Sequence, residues 1–188
     1  MQAQSQTPEA VLRNYFRAKD EDRPDLMGDV FCEDAELTMR VKAASMSFPE
    51  FSRGLAAITD VLIRQFRKTY GNVRSFYLDR PGPAVAEFSC AWLVGMSERS
   101  SGNVRVGCGR YHWKFQPSPP RLARDLLITI EVMQILPRSH HEGIRSWFEQ
   151  LSYPWTSAAA VVAVAPAIEA LNPVLRYLRA EDAKPERS

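Results

Sequence analysis

The chain of 188 residues is long enough for one domain with a sizeable core, and with 45% hydrophobic and 24% charged residues it has an ordinary globular composition. Its formal net charge is only +2, with basic and acidic residues interspersed, which argues against a nucleic-acid-binding surface. The longest run of small apolar residues, 158–165, is far shorter than the ~20 residues that a membrane-spanning helix needs.

The N-terminus and the cysteines indicate the expected compartment. Residues 1–6 lack the basic start and the apolar core of a secretory signal. Cys32, Cys90 and Cys108 are widely spaced and form no Cys-x-x-Cys or Cys/His pattern. We therefore expect buried, reduced thiols in a cytoplasmic protein, without a zinc site, another metal or a cofactor.

A long amphipathic helix is predicted near the N-terminus. Thr7 suits an N-cap and Pro8 the first helical position. One apolar stripe at helical spacing follows, formed by Val11, Leu12, Tyr15 and Phe16. The charged residues 17–23 end this pattern and are interpreted as a solvated helix end. Pro24 starts a second, short helix that closes at residues 32–34, before a candidate strand at 35–41.

The middle of the chain changes from helical to strand periodicity. Gly54 precedes a helix that residues 70–72 stop. Four strands are then predicted, at residues 73–78, 84–96, 104–116 and 122–136. Helices followed by a long antiparallel meander predict an α+β fold with the helices on one face of the sheet.

Alternation along the strands predicts which side chains face those helices. In the strand at 104–116 the aromatic set is the better core face, which places His112 on the opposite face. The aromatic set is Gly107, Gly109, Tyr111, Trp113 and Phe115. In the last strand the set that contains Ile130 and Val132 is expected to pack inward. A bulge would exchange the two sets and turn Glu131 toward the pocket, and the sequence leaves both arrangements open.

Residues 138–188 follow the sheet and are predicted to be helical. Residues 139–151 have the apolar spacing of an amphipathic helix, whereas prolines break residues 158–178 into short helices. Residues 180–188 are polar, and disorder is expected there. We divide the chain into an α+β domain at 1–137 and a helical extension at 138–188. The extension would either cover the open end of that domain or form a subunit contact.

The order of these elements resembles the opening of nuclear transport factor 2-like proteins, the SnoaL-like superfamily. The resemblance rests on FCEDAEL at residues 31–37 and GLAAI at residues 54–58, and it covers residues 7–136. It implies a cone-shaped α+β fold, in which a curved antiparallel sheet wraps around the N-terminal helices and leaves an internal pocket. It also implies a sheet that commonly forms homodimers.

The resemblance to ketosteroid isomerase, an enzyme of this superfamily, implies two catalytic residues. Tyr15 falls at the tyrosine that donates a hydrogen bond to the substrate oxygen, and Tyr111 falls where the isomerase has a second donor, a carboxylic acid. The position of the base falls near Met39, which cannot accept a proton. Scytalone dehydratase and SnoaL cyclase have a similar fold and use His or Asp groups, whereas His112 is predicted on the wrong face.

These observations predict a protein that binds a hydrophobic small molecule in an aromatic pocket. The pocket is expected to combine Tyr15 and Tyr111 with Phe31, Trp92, Trp113 and Glu131. If the protein is an enzyme, isomerisation, cyclisation or dehydration of an apolar carbonyl compound fits best. One alternative is a non-catalytic homodimer or interaction module whose pocket is filled, by Trp147 or Trp155 for example. Another is the small subunit of a ring-hydroxylating dioxygenase, which shares the fold.

Overall fold

The computed structural model describes residues 6–184, in which six strands form one sheet. The strands are β1 Phe31–Val41, β2 Phe51–Arg53, β3 Tyr70–Tyr77, β4 Glu87–Glu98, β5 Val104–Phe115 and β6 Ala123–Leu136. Their order across the sheet is β2-β1-β6-β5-β4-β3. All neighbours are antiparallel except β1 and β6, which are parallel. The predicted α+β fold is confirmed, with a sheet that is mixed because of this one pair.

The helices lie before and after the long strands. They are α1 Pro8–Asp20, α2 Leu55–Thr59, α3 Phe66–Thr69, α4 His141–Glu149, α5 Ala158–Ala163 and α6 Asn172–Asp182. A π-helical segment, Asp60–Gln65, joins α2 to α3, so that the chain is helical from Leu55 to Thr69. No helix within residues 6–184 is both long enough and apolar enough to cross a membrane.

The N-terminal elements match the prediction at α1 and differ after it. The Thr7 side chain accepts a hydrogen bond from the backbone N–H of Ala10 at 3.2 Å, as an N-cap does. The second helix is only a 3₁₀ turn, Pro24–Asp29, and β1 begins at Phe31 rather than at residue 35. FCEDAEL is therefore a strand, because Phe31 already pairs with Ala123 of β6 before an irregularity in the ladder.

Two further boundaries differ from the sequence prediction. The helix ends at Thr69, before residues 70–72 as predicted, but strand β3 begins at Tyr70 rather than at residue 73, because Tyr70 already pairs with Glu98 of β4. The ladder then shifts its register between Gly71 and Arg74, where Asn72 takes a positive φ of 49°. Helix α6 continues to Asp182, inside the segment for which disorder was expected. Residues 185–188 of that segment lie outside the described residues.

The sheet has two buried faces. The inner face packs against α1 and the helices between Leu55 and Thr69. The outer face packs against the extension, where α4 to α6 cover a patch formed by Phe76, Leu93, Val106 and Cys108. The extension also reaches the inner cluster, where Trp155 stacks on Tyr77 with ring centroids 4.9 Å apart.

A bulge in β6 exchanges the side chains of its two faces. Cys108 pairs with Val132 and Gly109 with Ile130, so Glu131 between them has no partner in β5. Ile130 lies in the inner cluster and Val132 in the outer one, and after the bulge Met133 takes the inner position. The prediction that Val132 packs inward is wrong for this reason.

Candidate functional site

A small cavity lies between α1, the π-helical segment and the inner face of the sheet. Its volume is about 50 Å³, which is room for a few water molecules. Most of its lining is apolar and includes four methionines, Met39, Met46, Met96 and Met133. Pockets for drug-sized ligands hold roughly 300–1,000 Å³, so a larger ligand can enter only if these side chains move. Methionine is suited to such movement because it is unbranched and flexible.

Three of the predicted aromatic residues meet at this cavity. Tyr15 comes from α1, Trp92 from β4 and Tyr111 from β5, and all three line the wall. The rings of Tyr15 and Tyr111 meet edge to face with centroids 6.0 Å apart, and Trp92 stacks on Tyr111 at 5.6 Å. Of the six predicted site residues, these three are the ones that the structure brings to the cavity.

The two tyrosine hydroxyls are held in the protonated state. Burial raises the pKa of Tyr15, and the interaction with the Tyr111 hydroxyl acts in the opposite direction. Burial also raises the pKa of Tyr111, and its contact with Tyr15 raises it further. Both groups can therefore donate a hydrogen bond at neutral pH. The Trp92 indole N–H is a third donor, which is buried and has no partner among the described residues.

Phe31 and Trp113 lie beside the cavity but not in its wall, which corrects the prediction. Both are buried next to Tyr15, with ring centroids 6.3 and 5.2 Å from its own. They stack on each other at 5.9 Å and fill the core beyond Tyr15. Gly109 leaves the space that Trp92 occupies, because a Cβ there would lie 2.8 Å from the Trp92 ring.

Glu131 is also outside the cavity, because it is the unpaired residue of the β6 bulge. Its carboxylate accepts hydrogen bonds from the Lys42 ammonium group at 2.8 and 2.9 Å. This pair is partly exposed, with 62% of the Lys42 side chain and 21% of the Glu131 side chain accessible to solvent. The bulge that the sequence left open does occur, but it brings Met133 rather than Glu131 to the inner face.

His112 lies on the outer face, away from the cavity. The antiparallel register places it opposite Ser89, whose hydroxyl lies 2.5 Å from His112 Nδ1. Glu87 is 3.3 Å from His112 Nε2, and its side chain is 54% exposed. This order of Ser, His and Glu resembles a hydrolase triad, yet Ser89 lies within a strand whose backbone is paired to β5, which offers no oxyanion-binding loop.

Lys19 is the functional candidate that the sequence interpretation missed. It was placed in a solvated charge cluster, yet it is 8% exposed and lines the cavity. Its Nζ lies 5.3 Å from the ring centroid of Phe16, 5.9 Å from that of Tyr15 and 6.0 Å from that of Phe66. Its position four residues after Tyr15 could have predicted that Lys19 lies near the cavity, since residues at this spacing share a helix face.

Burial controls the charge of Lys19. Desolvation lowers its pKa from 10.5 to about 8, and the nearby charge of Asp20 opposes this shift. Among residues 6–184 Lys19 forms no ion pair or side-chain hydrogen bond, and the contacts of its Nζ are those with the three aromatic rings. The Asp20 carboxylate is engaged elsewhere, because it accepts hydrogen bonds from Ser75 N at 2.9 Å, Ser75 Oγ at 2.8 Å and the Tyr153 hydroxyl at 3.1 Å.

Metal-ligating side chains are dispersed in the described structure. Residues 6–184 contain no group of three His, Cys, Asp or Glu side chains that could hold a metal ion. His141 and Glu142 lie near each other at the exposed start of α4, with His141 Nδ1 3.4 Å from a Glu142 oxygen.

Comparisons with known proteins identify the fold. No family model and no curated protein sequence matches the chain. Among solved structures, a nuclear transport factor 2-like protein from Salmonella enterica serovar Typhimurium aligns with a TM-score of 0.53 and 14% identity, over 66% of this chain and 88% of that one. A type 2 hexachlorocyclohexane dehydrochlorinase, LinA, aligns with a TM-score of 0.55 and 10% identity, over 67% of this chain and 84% of the enzyme.

A third solved structure comes from Catenulispora acidiphila and is described as a hypothetical protein with a ketosteroid isomerase-like fold, in complex with trimethylamine. It aligns with a TM-score of 0.52 and 12% identity, over 65% of this chain and 85% of that one. At these identities the likeness concerns the fold. Together with the curved sheet around α1 and the cavity between them, it shows that this chain has the nuclear transport factor 2-like fold.

Proposed function

We propose that the cavity binds a small apolar carbonyl compound, with the hydroxyls of Tyr15 and Tyr111 as hydrogen-bond donors to its oxygen. The observation that carries this proposal is the pair of buried, protonated hydroxyls beside a cavity whose wall is mostly apolar. The unpartnered N–H of Trp92 adds a third donor. A carbonyl oxygen can accept two hydrogen bonds. The apolar part of the ligand would contact the methionine side chains that line the cavity.

The same donors support chemistry at the bound carbonyl. Negative charge develops on the oxygen when a proton leaves the neighbouring carbon, and donors in a dry site stabilise that charge strongly. Isomerisation, cyclisation and dehydration share this step. Dehydrochlorinase activity and the description as ketosteroid isomerase-like occur among proteins with this fold, which is compatible with the proposal.

A panel of small ketones and aldehydes with up to about ten heavy atoms tests the binding, because the cavity of about 50 Å³ favours small ligands. Each is compared in thermal unfolding with the matching alcohol. We expect some carbonyl compounds to raise the melting temperature. Tyr15→Phe and Tyr111→Phe should each weaken binding by about fivefold, the value of one hydrogen bond.

Tyr77→Phe is the matched control for these variants. The Tyr77 hydroxyl donates to the backbone oxygen of Leu12 at 2.9 Å and is not part of the cavity wall. Affinity for a carbonyl ligand should therefore stay unchanged, although stability falls. Equal affinity in the wild type, Tyr15→Phe and Tyr111→Phe would reject the two hydroxyls as donors.

The second candidate function is a non-catalytic homodimer with a filled core, and the small volume of the cavity favours it. The extension occupies much of the outer face, so a dimer would have to use other surface. Phe51 of β2 and Ile135 of β6 remain 54% and 44% exposed. Sedimentation at several concentrations tests this candidate, and a monomer at every concentration rejects it. The domain boundary at Pro137 and the cytoplasmic location stay predictions.

A further inference from the structure

Lys19 is the one charged residue in the wall of the described cavity. The other side chains there are aromatic or aliphatic, or belong to methionine. A charged ammonium group in such surroundings normally needs a carboxylate partner. Lys19 has none between residues 6 and 184, since Asp20 is held by Ser75 and Tyr153. The rings of Tyr15, Phe16 and Phe66 contact the ammonium group but offer it no hydrogen-bond acceptor, and a bound molecule would add a polar partner.

We propose that Lys19 forms a reversible imine with the carbonyl carbon of a small aldehyde or ketone bound in the cavity. This inference rests on the proposed function, in which Tyr15 and Tyr111 receive the carbonyl oxygen, and it adds the group that meets the carbon. It also narrows the ligand class, because esters and amides do not form stable imines with a lysine.

The geometry allows both contacts with one ligand. Lys19 lies one helical turn after Tyr15 and on the same face of α1. Its Nζ is 5.9 Å from the centre of the Tyr15 ring, and both residues line the same cavity. A carbonyl group that binds between them meets the tyrosine hydroxyl at its oxygen and the amine at its carbon.

The amine is available in its reactive form. Only the neutral amine can attack a carbonyl group, and burial favours that form. With a pKa of about 8, about one tenth of the Lys19 side chains are neutral at pH 7 and about half at pH 8. Apolar burial of this kind is a known way to activate lysine for imine formation.

The reaction balances without another reagent. The nitrogen lone pair forms a C–N bond, and the π electrons of the carbonyl group move to oxygen. A proton passes from nitrogen to that oxygen to give a carbinolamine. The remaining N–H proton then passes to the hydroxyl group, the C–O bond breaks so that water leaves, and the nitrogen lone pair forms the C=N bond. Addition of water reverses the sequence, so the ligand is released unchanged.

Reductive trapping tests the imine on the full chain. The protein is incubated with cyclohexanone or benzaldehyde and sodium cyanoborohydride between pH 6.5 and 8.5, and the label is located by peptide mass mapping. We expect Lys19 to be labelled at least about tenfold faster than the exposed lysines Lys42 and Lys68, with a rate that rises as Lys19 loses its proton.

Two variants distinguish an imine from a charge effect. Lys19→Arg keeps the positive charge but has no primary amine, and it should lose the fast label while circular dichroism shows a folded chain. Lys68→Met is the matched control, because Lys68 is exposed in α3 and lies outside the cavity wall. The fast label at Lys19 should remain in that variant.

The outcomes separate this inference from the proposed function. Labelling of Lys19 no faster than that of Lys42, in a protein that cyclohexanone or benzaldehyde still stabilises against heat, overturns the imine and leaves carbonyl binding intact. If no carbonyl compound stabilises the protein or labels Lys19, both the proposed function and this inference are rejected.

Discussion

The two faces of the sheet are both covered by helices, but they are completed differently. On the outer face, Trp147 is 1% exposed and its indole N–H donates to the backbone oxygen of Val161 at 3.1 Å. On the inner face, Trp92 and Trp113 are also buried, yet neither indole N–H has a partner among the described residues. The inner face also contains the amine of Lys19, which is 8% exposed and has no ion pair with another residue between 6 and 184.

This difference between the faces shows that packing alone does not explain every buried polar residue of the inner face. A buried polar group without a partner costs about 1–3 kcal/mol. On the inner face such groups are the indole N–H of Trp92, in the cavity wall, and that of Trp113, beside it, whereas on the outer side Tyr177, at the margin of the extension, is the example within residues 6–184. The described part of the inner face thus holds more buried donors without a partner than the outer face does.

The largest effect is expected from a chain that ends at Pro137. Its loss of α4 to α6 would expose the outer patch around Phe76 and Leu93 to water. Burial of one large apolar side chain contributes about 1.5–3 kcal/mol, and several such losses exceed the total stability of about 5–15 kcal/mol of a typical domain. We expect no cooperative thermal transition in circular dichroism and aggregation in light scattering.

The control for this truncation is a chain that ends at Lys184, which keeps every described helix. It should melt as the full chain does. A monodisperse Pro137 truncation with an unchanged melting curve would show that the cone is stable without its extension.

The next largest effect is expected at Lys19, where Lys19→Met should stabilise the protein at pH 7. The shift of its pKa from 10.5 to about 8 corresponds to a penalty of up to about 3 kcal/mol for the buried charge. Between pH 8 and 10.5 the unfolded chain binds more protons at this site than the folded one, so the unfolding free energy of the wild type rises with pH. The advantage of the variant should shrink over that range.

Urea unfolding at pH 7, 8.5 and 10 measures this effect. The exposed Lys68→Met serves as the control and should change stability by less than about 1 kcal/mol, without a pH trend from this site. A Lys19→Met variant less stable than the wild type at pH 7 would contradict the buried, unpaired state of the amine.

A smaller effect on stability is expected when one tryptophan of each face is replaced by phenylalanine. Trp147→Phe removes an N–H that is hydrogen-bonded and leaves the Val161 carbonyl without it, whereas Trp92→Phe removes an N–H that has no partner in the described chain. We expect the free energy of unfolding in urea to fall by about 1–2 kcal/mol more in Trp147→Phe than in Trp92→Phe. Equal losses would indicate that the two indoles are satisfied to the same extent.

The smallest effect is expected for Glu131→Gln. The variant weakens a partly exposed ion pair with Lys42, and such pairs contribute less than about 1 kcal/mol. Because Glu131 is not in the cavity wall, affinity for carbonyl ligands should not change. If calorimetric titration shows a loss of affinity for carbonyl ligands, Glu131 contributes to ligand binding after all.

Local sequence patterns predicted much of the architecture. Apolar spacing and the cap at Thr7 identified α1, and strand alternation identified the inner aromatic set with Tyr111 and Trp113. The start of β1 was missed, because the pairing of Phe31 with Ala123 depends on a strand that lies about ninety residues later. Local patterns also misplaced one helix end, since α6 continues to Asp182, inside the segment for which disorder was expected.

The sequence by itself determined the elements, the side of Tyr111 and its separation from His112, since these follow from helix and strand periodicity. Only the tertiary structure decided the burial of Lys19, the bulge at Glu131 and the position of the extension on the outer face. The physical reason is that desolvation, strand register and free volume each depend on several segments of the chain at once. The pKa of Lys19 depends on walls that α1, the π-helical segment and four strands build together.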